Sequence, residues 1–297
     1  MGGIDNKFLP SQARYLVWLM LSNHYHIVVH IDKERLKELS DKAVMDRWCQ
    51  LFKGPLIIQK LRAGQLLSQA ERDTASSIIA IWRNRLVDLG WFMKCLNEFI
   101  SRKANAEDNC KGHFWESRYK SQALLDEVAL LSCMSYVDLN PIRAGVADSL
   151  ESSEYTSIQE RLAQYKKQLD KKKVAAISQF EEQTATAELR SFLPDSGGLK
   201  EMKRQKHIPF KLLDYLQLLE WTGRVRRLDK RAVIPDYVPP ILVSLGVDES
   251  EWQSHIDYFG VRYFHIVGAP KAVETLAQQS NYKWLKGVVP LRKVYSN

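Results

Sequence analysis

The chain has 297 residues, 45% of them hydrophobic and 26% charged, an ordinary globular balance that excludes wholesale disorder. No apolar run approaches the roughly 20 residues that cross a bilayer, and Met1-Gly-Gly-Ile-Asp5 lacks the basic segment and apolar stretch of a secretory signal, so the chain reads as cytoplasmic. The net charge of +8 is unevenly placed: residues 1–160 hold 20 basic and 20 acidic side chains, and residues 161–297 hold 23 and 15. A basic second region points to a polyanion partner, the alternative being a merely basic soluble surface.

The first predicted element is YLVWLMLSNHYHIVVHID (15–32), whose β-branched and aromatic residues on both sides of Ser22-Asn23 read as a strand or a hairpin. From Lys33 the spacing turns helical, with Leu36, Leu39, Val44, Trp48, Leu51 and Phe52 as an apolar stripe that ends at Gly54-Pro55. Residues 56–105 read as mostly helical, through Trp82, Leu86, Leu89, Phe92, Leu96, Phe99 and Ile100. A turn at Asp108 to Gly112 leads into HFWESRYKSQALL (113–125), a short strand or extended segment. Asp126-Glu127 can start the next helix, because carboxylates suit a helix N-terminus, and Asn140-Pro141 should stop it near Leu139.

Residues 161–200 are polar, with three lysines at 171–173, and read as a partly helical connector. Residues 201–297 regain apolar periodicity at Leu212, Leu213, Leu216, Leu219 and Trp221 and are expected to form a separate basic helical domain. No internal repeat is visible. The four cysteines, Cys49, Cys95, Cys110 and Cys133, are scattered and read as buried free thiols rather than a zinc site. The predicted architecture is α+β: an antiparallel sheet with flanking helices over residues 1–160, then the connector, then the helical domain.

Two elements carry chemistry. On a strand, His24 and His26 project from one face and Tyr25 and Ile27 from the other, so the two imidazoles can meet at one metal ion; His30 shares the parity but lies two pleats on and is read as structural. Two strand histidines are more often surface or hydrogen-bonded residues than ligands. On a helix, Tyr136 and Asn140 stand one turn apart, so a phenol that could attack a phosphate would sit beside an amide oxygen that could bind a cation. Taken alone, these are an ordinary packing tyrosine and a helix-stop asparagine.

Together the pieces resemble a family. SNHYHIVVHID (22–32) followed by GHFWESRYKSQALLDEVALLSCMSYVDLNPIRAG (112–145) is similar to the REP-associated tyrosine transposases, single-tyrosine members of the HUH superfamily, and the resemblance covers about residues 15–160. It implies a ferredoxin-like catalytic domain, His24 and His26 as metal ligands, Asn140 in place of a polar third ligand that is often Gln, and Tyr136 as nucleophile. It also implies Mg²⁺ or Mn²⁺ as cofactor, single-stranded or hairpin DNA as substrate, and a 5′-phosphotyrosine intermediate. Imidazole suits manganese better than magnesium, so the mixed donor set leaves the metal open.

Relatives begin with a further strand and helix, often bearing Tyr-His-x-x-x-Arg, whereas this chain reaches the histidine strand almost at once. A truncated copy or an incomplete fragment is expected, with an exposed sheet edge. Arg118 and Lys120, beside Phe114, Trp115 and Tyr119, form a basic and aromatic cluster able to hold phosphates and stack unpaired bases, or else an ordinary strand with Trp115 in the core. Arg143 is a weaker candidate of the same kind. Arg224, Arg226, Arg227, Lys230 and Arg231 give a dense local field suited to sequence-independent phosphate contacts. Residues 272–287 faintly resemble a helix-turn-helix. The rival readings are a catalytically silent transposase remnant that only binds DNA, and a metal hydrolase that leaves Tyr136 unexplained; the expected oligomeric state is monomer or homodimer.

Overall fold

The computed structural model describes residues 13–175, 189–193, 207–227, 238–263, 265–279 and 288–295. They form a mixed α+β protein in which helix predominates. The order is β1 (Ala13–Met20), β2 (Tyr25–Ile31), α1 (Lys33–Lys37), α2 (Asp41–Trp48), α3 (Leu56–Arg62), α4 (Gln69–Arg85), α5 (Leu89–Glu107), β3 (Ala123–Leu124), α6 (Glu127–Asp138) and α7 (Asn140–Arg143). There follow α8 (Ser157–Ala175), β4 (Phe192–Leu193), β5 (Ile208–Lys211), α9 (Leu212–Arg227), α10 (Pro240–Ser244), α11 (Glu249–Asp257), α12 (Phe259–Arg262), β6 (Ile266–Val267), α13 (Pro270–Gln279) and α14 (Val288–Val294). No helix among the described residues is long and apolar enough to cross a membrane.

β1 and β2 pair across the predicted break, and the link of residues 21–24 is too short for a parallel crossover, so they form an antiparallel hairpin. The other two sheets depart from the expected antiparallel arrangement. β3 pairs with β6 and β4 with β5, both in parallel. Parallel partners need a long crossover, and the chain between β3 and β6 supplies α6 to α12. Of the extended segment 113–125, only Ala123-Leu124 enters a strand.

The chain divides into two compact units, at boundaries other than those read from composition. The first, residues 13–15 and Val29–Tyr119, is helical. Its core is Val44, Met45, Trp48, Ile58, Ala75, Ile79, Trp82 and Leu86, with Trp48 stacked on Trp82 at 5.2 Å between ring centres. Gly54 ends the first apolar stripe at φ +73°, where a Cβ would come within 3.1 Å of Trp82; the position needs glycine both for its backbone and for the room. Ser68 and Glu71 form a reciprocal capping box at the start of α4, and Asp88 caps α5 by accepting from Trp91 N at 2.8 Å.

The second unit contains the hairpin tip, Leu16–Val28, and the described chain from Lys120 onward. At its centre lies α6, buried on nearly every side through Val128, Ala129, Leu131, Ser132, Met134, Ser135, Val137 and Asp138. A helix apolar all round is a core helix. One cluster packs Leu131, Met134 and Val137 with Leu16, Leu19, Ile158, Leu218, Trp221 and Trp252. Another packs Ala129 with Phe259, Tyr263, Val267, Val273 and Leu291. Residues of 201–297 therefore share a core with the hairpin and α6 and do not close a hydrophobic core of their own.

Two carboxylates hold α6 at its ends. Asp126 caps the N-terminus by accepting from Ala129 N at 2.8 Å, and also accepts from Ala269 N at 2.5 Å and Tyr295 Oη at 2.7 Å. Asp138, fully buried, accepts from Tyr215 Oη at 2.6 Å and Ser157 Oγ at 3.3 Å. Ser157 Oγ in turn accepts from Trp18 N of β1, and Arg161 reaches back to the Leu16 carbonyl at 2.6 Å. Burial raises Asp138 to about 7, against the lowering pull of Tyr215, Arg161 and Ser157; burial likewise lowers Arg161, so for both partners desolvation outweighs their mutual attraction. Because the folded-state value of Asp138 lies above its unfolded value, its proton favours the native state fully below the ordinary carboxylate range, and that advantage is lost as pH rises through about 7. Tyr215→Phe removes the strongest donor to this carboxylate and should cost about 1–3 kcal/mol of stability. The cost should be larger at pH 8, where Asp138 is ionised, than at pH 5, as read from urea denaturation midpoints; an equal cost at both pH values would contradict this account.

Candidate functional site

α6 presents Tyr136 from the face opposite Asp138, because residues two apart on a helix point about 200° apart. The phenol is half-buried among four neighbours. Its ring centre lies 5.5 Å from that of Phe259 on α12 and 5.9 Å, edge-on at 81°, from that of His26 on β2. The guanidinium carbon of Arg143 stands 4.5 Å above the ring. Gly260 completes the enclosure: a Cβ there would lie 2.6 Å from the phenol oxygen.

The imidazoles meet in the way the pattern requires, though not by the route expected. His24 lies in the turn before β2 rather than within the strand, its carbonyl accepting from Leu21 N at 2.9 Å. Its exposed ring still sits 5.1 Å from that of His26, nearly perpendicular, with Nδ1 2.7 Å from Asn23 Oδ1. His26 is half-buried and its pKa is lowered to about 4, chiefly by burial, then by His24 and Arg143. It is therefore neutral at physiological pH, the state in which imidazole binds metals.

Asn140 opens α7 one turn after Tyr136. The helix does end at Asp138, as Asn140-Pro141 predicted, but the chain resumes at once as a short helix, since proline is tolerated in a first turn. α7 carries Arg143 back over Tyr136. There Arg143 Nη2 donates to the Asp257 carbonyl at 2.7 Å, while Nε and Nη1 are buried without a protein acceptor.

Of the three expected ligands, the two imidazoles lie side by side, and Asn140 opens α7 one turn after Tyr136. The two ring centres stand 5.1 Å apart, and His24 Nδ1 is taken up by Asn23 Oδ1. Among the described residues no three His, Cys, Asp or Glu side chains gather as a metal group, so no carboxylate completes the set. The cysteines are free, and Cys110 is exposed, contrary to the expectation of burial.

The other basic candidates are dispersed. Arg118 and Lys120 are exposed, and Arg118 lines a pocket of the first unit with Trp115 and Tyr119. Arg224 is exposed on α9 and forms an ion pair with Glu220, which reduces the local field expected there. Arg226 and Arg227 fall in the last turn of α9; their side chains, and all of Lys230 and Arg231, lie outside the described residues. Of the faint helix-turn-helix, α13 is present and residues 280–287 lie outside the described residues.

Gly260 and Phe259 escaped the sequence reading, since nothing local marks a residue more than a hundred positions away as a neighbour of Tyr136. Asp138 did leave a signal: it is the one acid inside the apolar run ALLSCMSYVDL (129–139), and carboxylates are almost never buried there without a partner. No family model, characterised protein or solved structure matches the chain.

A methyl group at Gly260 would have to displace the phenol oxygen or α12. Gly260→Ala should cost about 1–3 kcal/mol in the wild-type background and distinctly less in a Tyr136→Phe background, where the closest atom is gone. Denaturation of the four proteins measures the coupling; identical costs in both backgrounds would show that Gly260 does not back onto the phenol.

Proposed function

We propose that the chain is a metal-dependent, single-tyrosine DNA strand transferase of the REP-associated transposase kind, with Tyr136 as nucleophile and His24, His26 and Asn140 as ligands of Mg²⁺ or Mn²⁺. The observation that carries this reading is the succession of rings His24, His26 and Tyr136, at 5.1 and 5.9 Å, built from a hairpin and a helix about 110 residues apart in sequence. Packing alone has no use for two histidines, a phenol and an arginine with unused donors in one polar corner. On this reading the β1–β2 hairpin and α6 are parts of a ferredoxin-like catalytic domain, and a DNA substrate accords with a cytoplasmic protein.

A divalent ion at the histidines would neutralise a non-bridging oxygen of the scissile phosphate and make its phosphorus more electrophilic. The remaining work falls to side chains of this chain. Phe259, Gly260 and Arg143 fix the direction of the phenol, so that little orientational freedom is left to lose in the reaction. The Tyr136 oxygen attacks phosphorus and its proton leaves to water; the 3′-oxygen departs and takes up a proton. One ester replaces another, so a 3′-hydroxyl can reverse the step on a second strand without ATP. The Arg143 guanidinium, standing over the phenol ring with two N–H groups unused, supplies a positive charge next to the nucleophile.

The tight packing of the phenol oxygen against Gly260 favours a second reading, a silent remnant that binds DNA without cutting it. Incubation of the full chain with labelled hairpin single-stranded DNA and Mn²⁺, followed by denaturing electrophoresis, separates the two. The strand transferase forms a covalent protein–DNA adduct that Tyr136→Phe abolishes while DNA binding persists. The double change His24→Ala with His26→Ala should lower cleavage by at least about 100-fold, since even outer-shell changes at metal sites cost 10–100-fold. An adduct in the Phe variant, or Mn²⁺ binding undiminished in the double variant, would exclude these assignments.

A further inference from the structure

The first unit holds a pocket that the chemistry above does not use. It has a volume of about 550 Å³ and lies between the start of α5 and the extended segment that follows it. Three aromatic side chains line it, Trp91 from α5 and Trp115 and Tyr119 from the segment, together with two cations, Lys94 and Arg118. Trp115 is tied in place by its Nε1, which donates to the Asn97 carbonyl at 3.0 Å. Trp91 is held by Arg85, whose guanidinium carbon stands 4.1 Å from the ring centre, and Lys94 Nζ lies 4.5 Å from the same ring. Arg85 thus adds a third positive charge close to the wall of the pocket. The one acid in the lining, Asp88, already caps α5.

The combination selects a ligand class. The volume lies within the range of small-ligand pockets. Aromatic cages for ammonium groups need a cation-free surrounding, and Lys94 and Arg118 would repel such a guest. A bare phosphate would satisfy the cations and make no use of the Trp115 and Tyr119 rings in the pocket. An acyl chain would satisfy the aromatic faces and bring nothing for the cations. A planar heterocycle carrying a phosphate uses both, by stacking on the rings and pairing with the basic groups.

We propose that this pocket binds one unpaired nucleotide, its base stacked on the Trp115 and Tyr119 side and its phosphate held by Arg118 and Lys94. The nucleotide can come from a single strand or be free in solution; the recognition chemistry is the same. The site involves neither Tyr136 nor the histidines, so it stands or falls separately from strand transfer.

The test uses the full chain in EDTA, so that metal-dependent cutting plays no part. Tryptophan fluorescence is followed while it is titrated with the pentanucleotides (dA)₅ and (dT)₅, with dAMP, and with an abasic pentamer of equal charge. The base-bearing pentamers should bind about tenfold more tightly than the abasic one, the magnitude expected for one stacked base. Trp115→Leu should remove that difference. Arg118→Ala, at an exposed position whose loss does not endanger folding, should weaken pentamer binding several-fold and reduce its salt dependence by about one phosphate contact. Saturable binding by the pentamers with none by dAMP assigns the site to a strand; comparable binding by dAMP assigns it to a free nucleotide. Equal affinity for abasic and base-bearing pentamers, or affinity unchanged by both substitutions, would overturn the proposal.

Discussion

The carboxylate of Asp138 is fully buried, and three side chains of the second unit are arranged to make up for its lost hydration. Tyr215 from α9 and Ser157 from the start of α8 donate to it; Arg161, one turn further along α8, supplies opposite charge and fastens the Leu16 carbonyl of β1. Removing one partner would leave a buried charge or an unpaired donor, which costs more than an average contact contributes. The network is therefore close to all-or-none. Because it grips the hairpin and α6 through the same few atoms, it fixes the two elements that bear the imidazoles and the phenol.

That grip explains how a tyrosine and two histidines can meet at the edge of a core helix. With Asp138 committed to one face of α6, Tyr136 must emerge on the other, toward the hairpin tip and α12. α7 then turns Arg143 over the phenol, a consequence of Asn140-Pro141 ending one helix and opening the next. The resulting corner is polar and partly covered, with Gly260 and Phe259 packed on the phenol from α12.

The first unit is organised differently. Its centre is the stacked pair Trp48 and Trp82, joined by Phe52 and Trp91, with Arg85 lying over the Trp91 ring. Aromatic side chains fill a small helical core with few residues, and where such a core reaches the surface it leaves flat, electron-rich faces beside basic groups. The pocket beside α5 is what remains at that edge. Core and pocket wall are thus built from the same residue types.

What the sequence by itself determined is local. The start of α6 followed from Asp126, whose side chain accepts from a backbone N–H three residues on, and the hairpin break followed from Ser22-Asn23, because capping and turn formation are short-range hydrogen-bonding events. The proximity of His24 and His26 was expected from strand alternation, but His24 sits in the turn before β2, so their rings meet by another route. Tertiary structure alone decided the rest. Composition placed a domain boundary near 160–200, yet apolar residues on both sides of it share one core, since hydrophobic burial is non-directional and does not record which segment an apolar face will meet. The parallel pairing of β3 with β6, the burial of Asp138, the placing of Gly260 against the phenol and the arrival of His26 beside Tyr136 are all contacts between distant segments. Each is settled by packing density and by the requirement that buried polar groups find partners, conditions that exist only once the chain is folded.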